Sequence, residues 1–222
     1  MFDSVISVLA PHTCLVCKTE GFLLCAWCRP DAVFRLPERC YRCNAVSRDS
    51  AVCQKCRKVS PLRHVWVRSE YKDVAKKLIY KLKFARAVAA AAVIAELIEE
   101  ELPDLPMDTV VTYIPTATSR VRLRGYDQSR LIAKEIARQR GLKCASLLLR
   151  IGQTRQVGAD RKHRIAQASE NYRVRSKKLA GVTEVLLIDD ILTTGATLES
   201  AALLLKQSGV KQVSAAVFAK KK

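Results

Sequence analysis

"VLLIDDILTTGAT", residues 185–197, is the stretch whose reading decides the fold. Val185 to Ile188 run apolar without a break, Asp189 and Asp190 follow, and Thr193, Thr194, Gly195, Ala196 and Thr197 make a small-residue turn. An unbroken apolar run of this length suits a strand buried on both faces, as in a parallel sheet covered by helices. In such a sheet, ligands sit beyond the carboxyl ends of the strands, where the next helix begins. The reading therefore ends the strand at Asp189-Asp190 and starts a helix near Leu198.

Such a turn has a definite chemistry. Its backbone N–H groups, its threonine hydroxyls and the positive end of the helix favour a phosphate, and Gly195 leaves room for close backbone approach. The two carboxylates cannot bind that phosphate, because like charges repel. They suit the hydroxyls of a sugar that carries it, with Mg²⁺ assisting. The stretch asks for a ribose 5-phosphate.

Working outward, "SEYKDVAKKLIYKLKF" places Val74, Leu78 and Leu82 at helical spacing, and "AVAAAAVIAELIEEEL" is a second helix ended by Pro103. "DTVVTYI" is a buried strand stopped by Pro115, and "DQSRLIAKEIARQRG" is a helix closed by Gly141. "TLESAALLLKQSG" and "VKQVSAAVFA" supply one more helix and a last strand. Alternating helices and continuously apolar strands predict an α/β fold, an open parallel sheet with helices on both faces. Apart from the cysteine pairs described next, the chain has no internal repeat.

Cys14/Cys17, Cys25/Cys28, Cys40/Cys43 and Cys53/Cys56 form four CxxC pairs within 43 residues. Two thiolates at this spacing grip one tetrahedral ion, so four knuckles imply two structural Zn²⁺ sites rather than disulfides. The segment has few large apolar residues, so metal must supply its folding free energy. Sequential pairing would join the first two knuckles and the last two. The loop of seven residues between the first two also leaves an interleaved pairing open. The expected organisation is a Cys-rich zinc module over residues 1–60 and a sheet domain over 61–222. Cys144 stands outside the pairs as a small core hydrophobe. His12, His64 and His163 are expected to be ordinary structural or surface residues.

The chain carries +18 formal charge on 222 residues, with 39 Lys and Arg against 21 Asp and Glu. Between Arg120 and Lys178 there are 17 basic and 4 acidic residues, so +13 of the charge lies there. Such a concentration points to polyphosphates or nucleic acid, and Tyr126 and Tyr172 within it either stack on bases or pack inward. No apolar run approaches the roughly 18 residues of a membrane helix, and "MFDSVISVLAPHTC" has no basic leader. The expectation is a cytoplasmic protein without membrane insertion.

The opening stretch resembles the phosphoribosyl pyrophosphate (PRPP) motif of type I phosphoribosyltransferases along its length. The rest of the chain is similar to the ComF (ComFC-like) family, which joins a double zinc ribbon to a phosphoribosyltransferase domain. "KKLIYKLKFAR" looks like that family's Lys-rich helix, and "YIPTATSRVRLRGYDQSRLIAKEIA" looks like its Arg-x-Arg-Gly-Phe-Asn-Gln segment. Gly125 and Gln128 match there, while Tyr126 and Asp127 replace Phe and Asn. "QTRQVGADRKHRIAQASENYRV" resembles a later segment in which Gln156 and Arg164 match, and Gln167 and Tyr172 replace Asn and Phe.

The resemblance implies roles. Asp189 and Asp190 would bind the ribose 2- and 3-hydroxyls, and Thr193, Thr194, Gly195, Ala196 and Thr197 the 5-phosphate. The loop Ile114 to Ala117, with Pro115 and Thr116, corresponds to the pyrophosphate loop. Arg120, Arg122 and Arg124 would neutralise the departing pyrophosphate, with Asp189, Asp190, Arg122 and Arg124 forming the catalytic set and Mg²⁺ accompanying PRPP. The family's association with natural transformation implies single-stranded DNA and competence helicase or uptake proteins as partners. A homodimer is implied because type I relatives often pair. The alternative is a transferase acting on a small base without a DNA role.

Overall fold

The computed structural model describes residues 12–85, 87–151 and 171–221. Its centre is a five-stranded sheet built from β1 (Val65–Glu70), β2 (Val110–Tyr113), β3 (Lys143–Cys144), β6 (Glu184–Leu192) and β7 (Gln212–Lys220). The order across the sheet is β1-β7-β6-β2-β3, and every neighbouring pair is parallel. Five helices belong to this part: α1 (Asp73–Phe84), α2 (Ala89–Glu99), α3 (Thr118–Arg124), α4 (Gln128–Arg140) and α5 (Ala196–Gln207). A small antiparallel hairpin pairs β4 (Leu148–Arg150) with β5 (Tyr172–Val174). None of the described helices is long and apolar enough to cross a membrane.

The apolar strands are buried on both sides, as their composition demands. Side chains alternate across a strand, so β6 sends Leu186 and Ile188 to one core and Val185 and Leu187 to the other. The first core holds the inner faces of α1, α2 and α4, with Leu78, Leu82, Ile94, Ile98, Ile132 and Ile136. The second holds Leu198, Ala201, Ala202 and Leu205 of α5 together with Leu148 and Tyr172 of the hairpin. The parallel sheet covered on both faces is therefore as the patterning required.

One boundary differs from the sequence reading. Strand β6 does not end at the acidic pair: Asp189 faces Val217, Ile191 faces Ala219, and Leu192 faces Lys220 of β7. The run Ile191-Leu192 is apolar and keeps its ladder partner, so the strand continues past the carboxylates. Helix α5 correspondingly begins at Ala196 rather than near Leu198. Strand β1 and helix α3 were not foreseen, because "VWVRSE" carries a central arginine and α3 is only seven residues long.

The cysteine-rich segment folds as two copies of one local structure. Thr13 bridges Glu20 in the first, and Arg39 bridges Val46 in the second. In each, the residue after the second cysteine of a knuckle, Lys18 or Asn44, has positive φ, and its N–H donates to the carbonyl of the knuckle's first cysteine. The first copy adds Leu23, Leu24 and Val33 to the α1–α2 core, and the second adds Tyr41 and Val52 to the α5 core. The two copies thus cover opposite faces of the sheet. No extended linker separates the second copy from the sheet: Val52 N–H donates to Arg63 O, and Arg63 N–H to Val213 O of β7.

Candidate functional site

The site gathers at the carboxyl ends of β2 and β6. Asp190 is 8% exposed, and its Oδ2 lies 2.5 Å from Nζ of Lys83 in the last turn of α1. Asp189 Oδ1 accepts from Ser129 Oγ at 3.2 Å and from the Asp190 N–H at 2.9 Å. Burial, and after it the Asp190 charge, push the Asp189 pKa up to about 8 against the opposing pull of Lys83 and these hydrogen bonds. An acidic pair so crowded awaits a hydroxyl donor or a cation.

The following turn leaves Thr193 and Thr194 exposed and buries Gly195 and Ala196. Gly195 has φ +82°, which opens α5 in a left-handed step. Thr194 Oγ1 lies 3.4 Å from the Ala196 N–H. Thr197 follows in the first turn of the helix, so the five small residues line one concave step at a helix N-terminus.

A second loop, Ile114 to Ala117, runs beside the first because the Ile114 N–H donates to Ile188 O of β6 at 3.0 Å. Pro115 is buried. Thr116 donates to Asp127 through its N–H at 2.7 Å and its hydroxyl at 3.2 Å. Asp127 is also the N-cap of α4, accepting from the Arg130 N–H, and burial raises its pKa. Gln128 is 1% exposed, and its Oε1 accepts from Arg124 Nη1 at 2.9 Å. Gln128 Nε2 and Arg124 Nε are buried donors with no acceptor among the described residues. Buried donors without an acceptor are uncommon in a folded chain, and Arg29 Nε, Arg42 Nη1, Arg68 Nε and Thr109 Oγ1 are further cases away from this loop.

The sequence-derived arginines divide. Arg124 packs over the Phe84 ring at 5.1 Å, and its pKa is lowered by burial and by Arg120 while Asp190 opposes the shift. Arg120 lies one turn before it on the same side of α3, whereas Arg122 is exposed about 200° around the helix. Tyr126 donates its hydroxyl to Leu82 O, and Tyr172 is 5% exposed with its hydroxyl accepting from Arg150. Both tyrosines pack inward. Gln156, Arg161, Lys162, His163, Arg164 and Gln167 lie outside the described residues.

Lys83, Asp127 and Ser129 carry no role in the sequence reading. Lys83 shares its helix with Lys76, Lys77 and Lys81, and spacing alone does not single out the one that reaches Asp190. Asp127-Gln128-Ser129 is a helix start in sequence. Folded, it joins the Thr116 loop, Arg124 and Asp189 in three consecutive residues.

The cysteines form two sequential quartets, Cys14/17/25/28 and Cys40/43/53/56, each with its sulfurs within 4.8 Å of one another. That settles the pairing against interleaving. A tetrahedral Zn²⁺ with Zn–S bonds of about 2.3 Å needs sulfurs about 3.8 Å apart. The separations Cys14–Cys25 3.8 Å, Cys17–Cys25 3.7 Å and Cys43–Cys53 3.6 Å meet that demand. Both quartets can hold zinc.

An all-parallel open sheet carries an acidic pair near the end of its central strand and a Thr-Thr-Gly step into a helix. Residues 127–222 match the family model for the phosphoribosyl transferase domain. The chain thus carries a phosphoribosyl transferase domain behind a module with two four-cysteine clusters. No curated protein sequence matches the chain.

Proposed function

We propose that the protein is a ComF-like phosphoribosyltransferase that binds PRPP, or its ribose 5-phosphate half, with Mg²⁺. The observation that supports the reading is the Asp189-Asp190 pair at the carboxyl end of β6, bound to Ser129 and Lys83 and followed by the Thr193–Thr197 step into α5. Asp189 and Asp190 accept from the ribose 2- and 3-hydroxyls, and Thr193, Thr194, Gly195, Ala196 and Thr197 hold the 5-phosphate. Pro115 and Thr116 shape the pyrophosphate loop, where Arg124, Gln128 and Arg120 meet the leaving group and Arg122 adds to the positive field. Mg²⁺ bound together with PRPP would take oxygen ligands and offset phosphate charge. The chain's own contribution is electrostatic: Arg124 offsets charge on the departing pyrophosphate, and the carboxylates favour a positive ribose ring. Zn²⁺ in the two quartets is structural.

A second partner, single-stranded DNA, is supported by the +13 segment and by one exposed aromatic pair. Tyr80 and Phe84, 59% and 62% exposed, have ring centroids 5.1 Å apart on the α1 face that also carries Lys76 and Lys77. Aromatics interleaved with cations form a stacking platform for bases without sequence preference. That platform fits a cytoplasmic role in natural transformation alongside competence helicase or uptake proteins, with homodimerisation as in type I relatives. Not all the segment's charge is available, since Arg138 pairs with Glu135 and Arg140 with Glu99.

The test is pyrophosphate release from PRPP and Mg²⁺ with candidate acceptors, including free bases and oligothymidylate, alongside oligothymidylate titrations at several salt concentrations. Release with an acceptor supports the transferase. Oligonucleotide binding that weakens steeply with salt, and at least about tenfold in Tyr80→Ala/Phe84→Ala, supports the DNA role. No binding at low salt leaves a small-molecule transferase alone.

A further inference from the structure

The second cysteine quartet touches the phosphate step directly. Its first knuckle is Cys40-Tyr41-Arg42-Cys43, so two metal-ligand positions bracket Tyr41 and Arg42. A Cβ added to Gly195 would lie 2.8 Å from Tyr41 Cε2 and 3.0 Å from Cδ2, inside van der Waals contact. The tyrosine ring therefore occupies the space beside Gly195. The Tyr41 hydroxyl donates to Glu199 Oε1 at 2.5 Å and lies 2.8 Å from Ser60 Oγ. Arg42 Nε is 3.0 Å from the same Glu199 oxygen.

Glu199 is 1% exposed in the first turn of α5, and its N–H donates to Gly195 O at 2.9 Å. A buried carboxylate there repels any anion held by the loop one turn away, and burial leaves the repulsion poorly screened. Arg42 supplies an opposing charge from the knuckle.

We propose that Tyr41 and Arg42 are positioning residues for the phosphate loop, so that metal occupancy of Cys40/43/53/56 and phosphate binding at Thr193–Thr197 are thermodynamically linked. The metal fixes the knuckle, the knuckle fixes Gly195 and cancels the Glu199 charge, and the loop then accepts an anion. Linkage is reciprocal, so bound ligand holds the metal in that quartet by the same factor. The Cys14/17/25/28 quartet lies against the other face of the sheet and takes no part. The ligand half of the proposal rests on the phosphoribosyl reading above. The positioning half does not.

The experiment uses full-length zinc-loaded protein, with ribose 5-phosphate as probe, and compares wild type with Tyr41→Phe, Arg42→Met and Arg42→Lys. Hydrogen exchange at residues 193–199 reads the loop without ligand, calorimetry reads affinity, and chelator-driven zinc release reads the metal. Tyr41→Phe and Arg42→Met should speed exchange at 193–199 and weaken ribose 5-phosphate by at least about fivefold, the lower end of typical coupling. Arg42→Lys, which keeps the charge, should retain most of the affinity. In wild type, ribose 5-phosphate should slow one of two zinc-release phases, and Tyr41→Phe should abolish that slowing. Unchanged exchange in both variants overturns the proposal, as does faster exchange with unchanged affinity and release. If wild type binds no ribose 5-phosphate, the phosphoribosyl reading and the linkage both fall, and exchange at 193–199 alone decides whether the knuckle positions the loop.

Discussion

The two cysteine ribbons share one backbone and differ in what they touch. The first docks through Leu23, Leu24 and Val33 on the α1–α2 core, and through Arg29 to Glu96 and Glu100. Glu96 is 49% exposed at its side chain, so water and salt screen that pair and it contributes little. The second docks through Tyr41 and Arg42 on Glu199, whose side chain is 1% exposed. The same pair of CxxC knuckles thus gives a covering module on one face of the sheet and a buttress of the candidate site on the other. What a ribbon does is set by the residues between and around its cysteines, not by the CxxC pattern.

The largest expected effect separates the ribbons outright. Metal analysis of the intact protein should find two zinc ions per chain, and Cys14→Ser/Cys25→Ser or Cys40→Ser/Cys53→Ser should each leave one. Because a structural zinc contributes roughly 10 kcal/mol or more of local folding free energy, each lesion should unfold its own ribbon. Only the second should also abolish ribose 5-phosphate binding. Equal losses of ligand binding from both lesions would break the comparison.

A smaller contrast concerns the docking arginines. Removing one partner of a buried pair costs up to about 3–5 kcal/mol, whereas an exposed pair contributes about 0–1 kcal/mol. Denaturant unfolding should therefore place Arg42→Ala well below wild type and Arg29→Ala close to it.

Glycines sharpen the same point at lower cost. Gly21 in the first ribbon and Gly195 in the phosphate step both have positive φ, but an added Cβ meets nothing at Gly21 and the Tyr41 ring at Gly195. Gly21→Ala should cost only the left-handed strain of about 1–2 kcal/mol. Gly195→Ala should cost more and should weaken ligand binding, and Tyr41→Ala added to it should recover part of the stability by opening space for the methyl group.

A further effect is a pH dependence at the acidic pair. The Asp189 pKa is raised in the folded state, from the ordinary 3.8 to about 8, so between these values the folded protein holds a proton that the unfolded chain releases. Stability from this group is full below the unfolded value and is lost as pH rises through the folded one. Asp189→Asn removes the loss, so its melting temperature should match wild type near pH 4 and exceed it near pH 9.

How far the sequence reaches depends on the range of the interaction. The β6 strand, the α4 and α5 helices and the four knuckles were legible because each is declared by local periodicity or spacing. The small-residue turn into α5 was legible because Thr193 to Thr197 stand in one run. The extent of β6 was not, since the ladder of Ile191 and Leu192 with β7 overrides the break that two aspartates suggest. Lys83 with Asp190, Thr116 with Asp127 and Tyr41 with Glu199 span 107, 11 and 158 residues, and no local pattern announces them. Tyr126 and Tyr172 had two readings in sequence, and only packing chose the inward one.

The claim on which the rest depends is that Asp189 and Asp190 hold a ribose beside the phosphate step. Calorimetric titration of PRPP with Mg²⁺ into wild type and Asp189→Asn/Asp190→Asn tests it most directly, because the variant keeps the shape of the cleft and removes the Asp190 carboxylate and the Asp189 carboxyl group. Hydrogen bonds to charged groups contribute roughly 1.5–3 kcal/mol, so the account predicts one ligand per chain in wild type and at least about tenfold weaker binding in the variant. Equal affinity in the two proteins would contradict it.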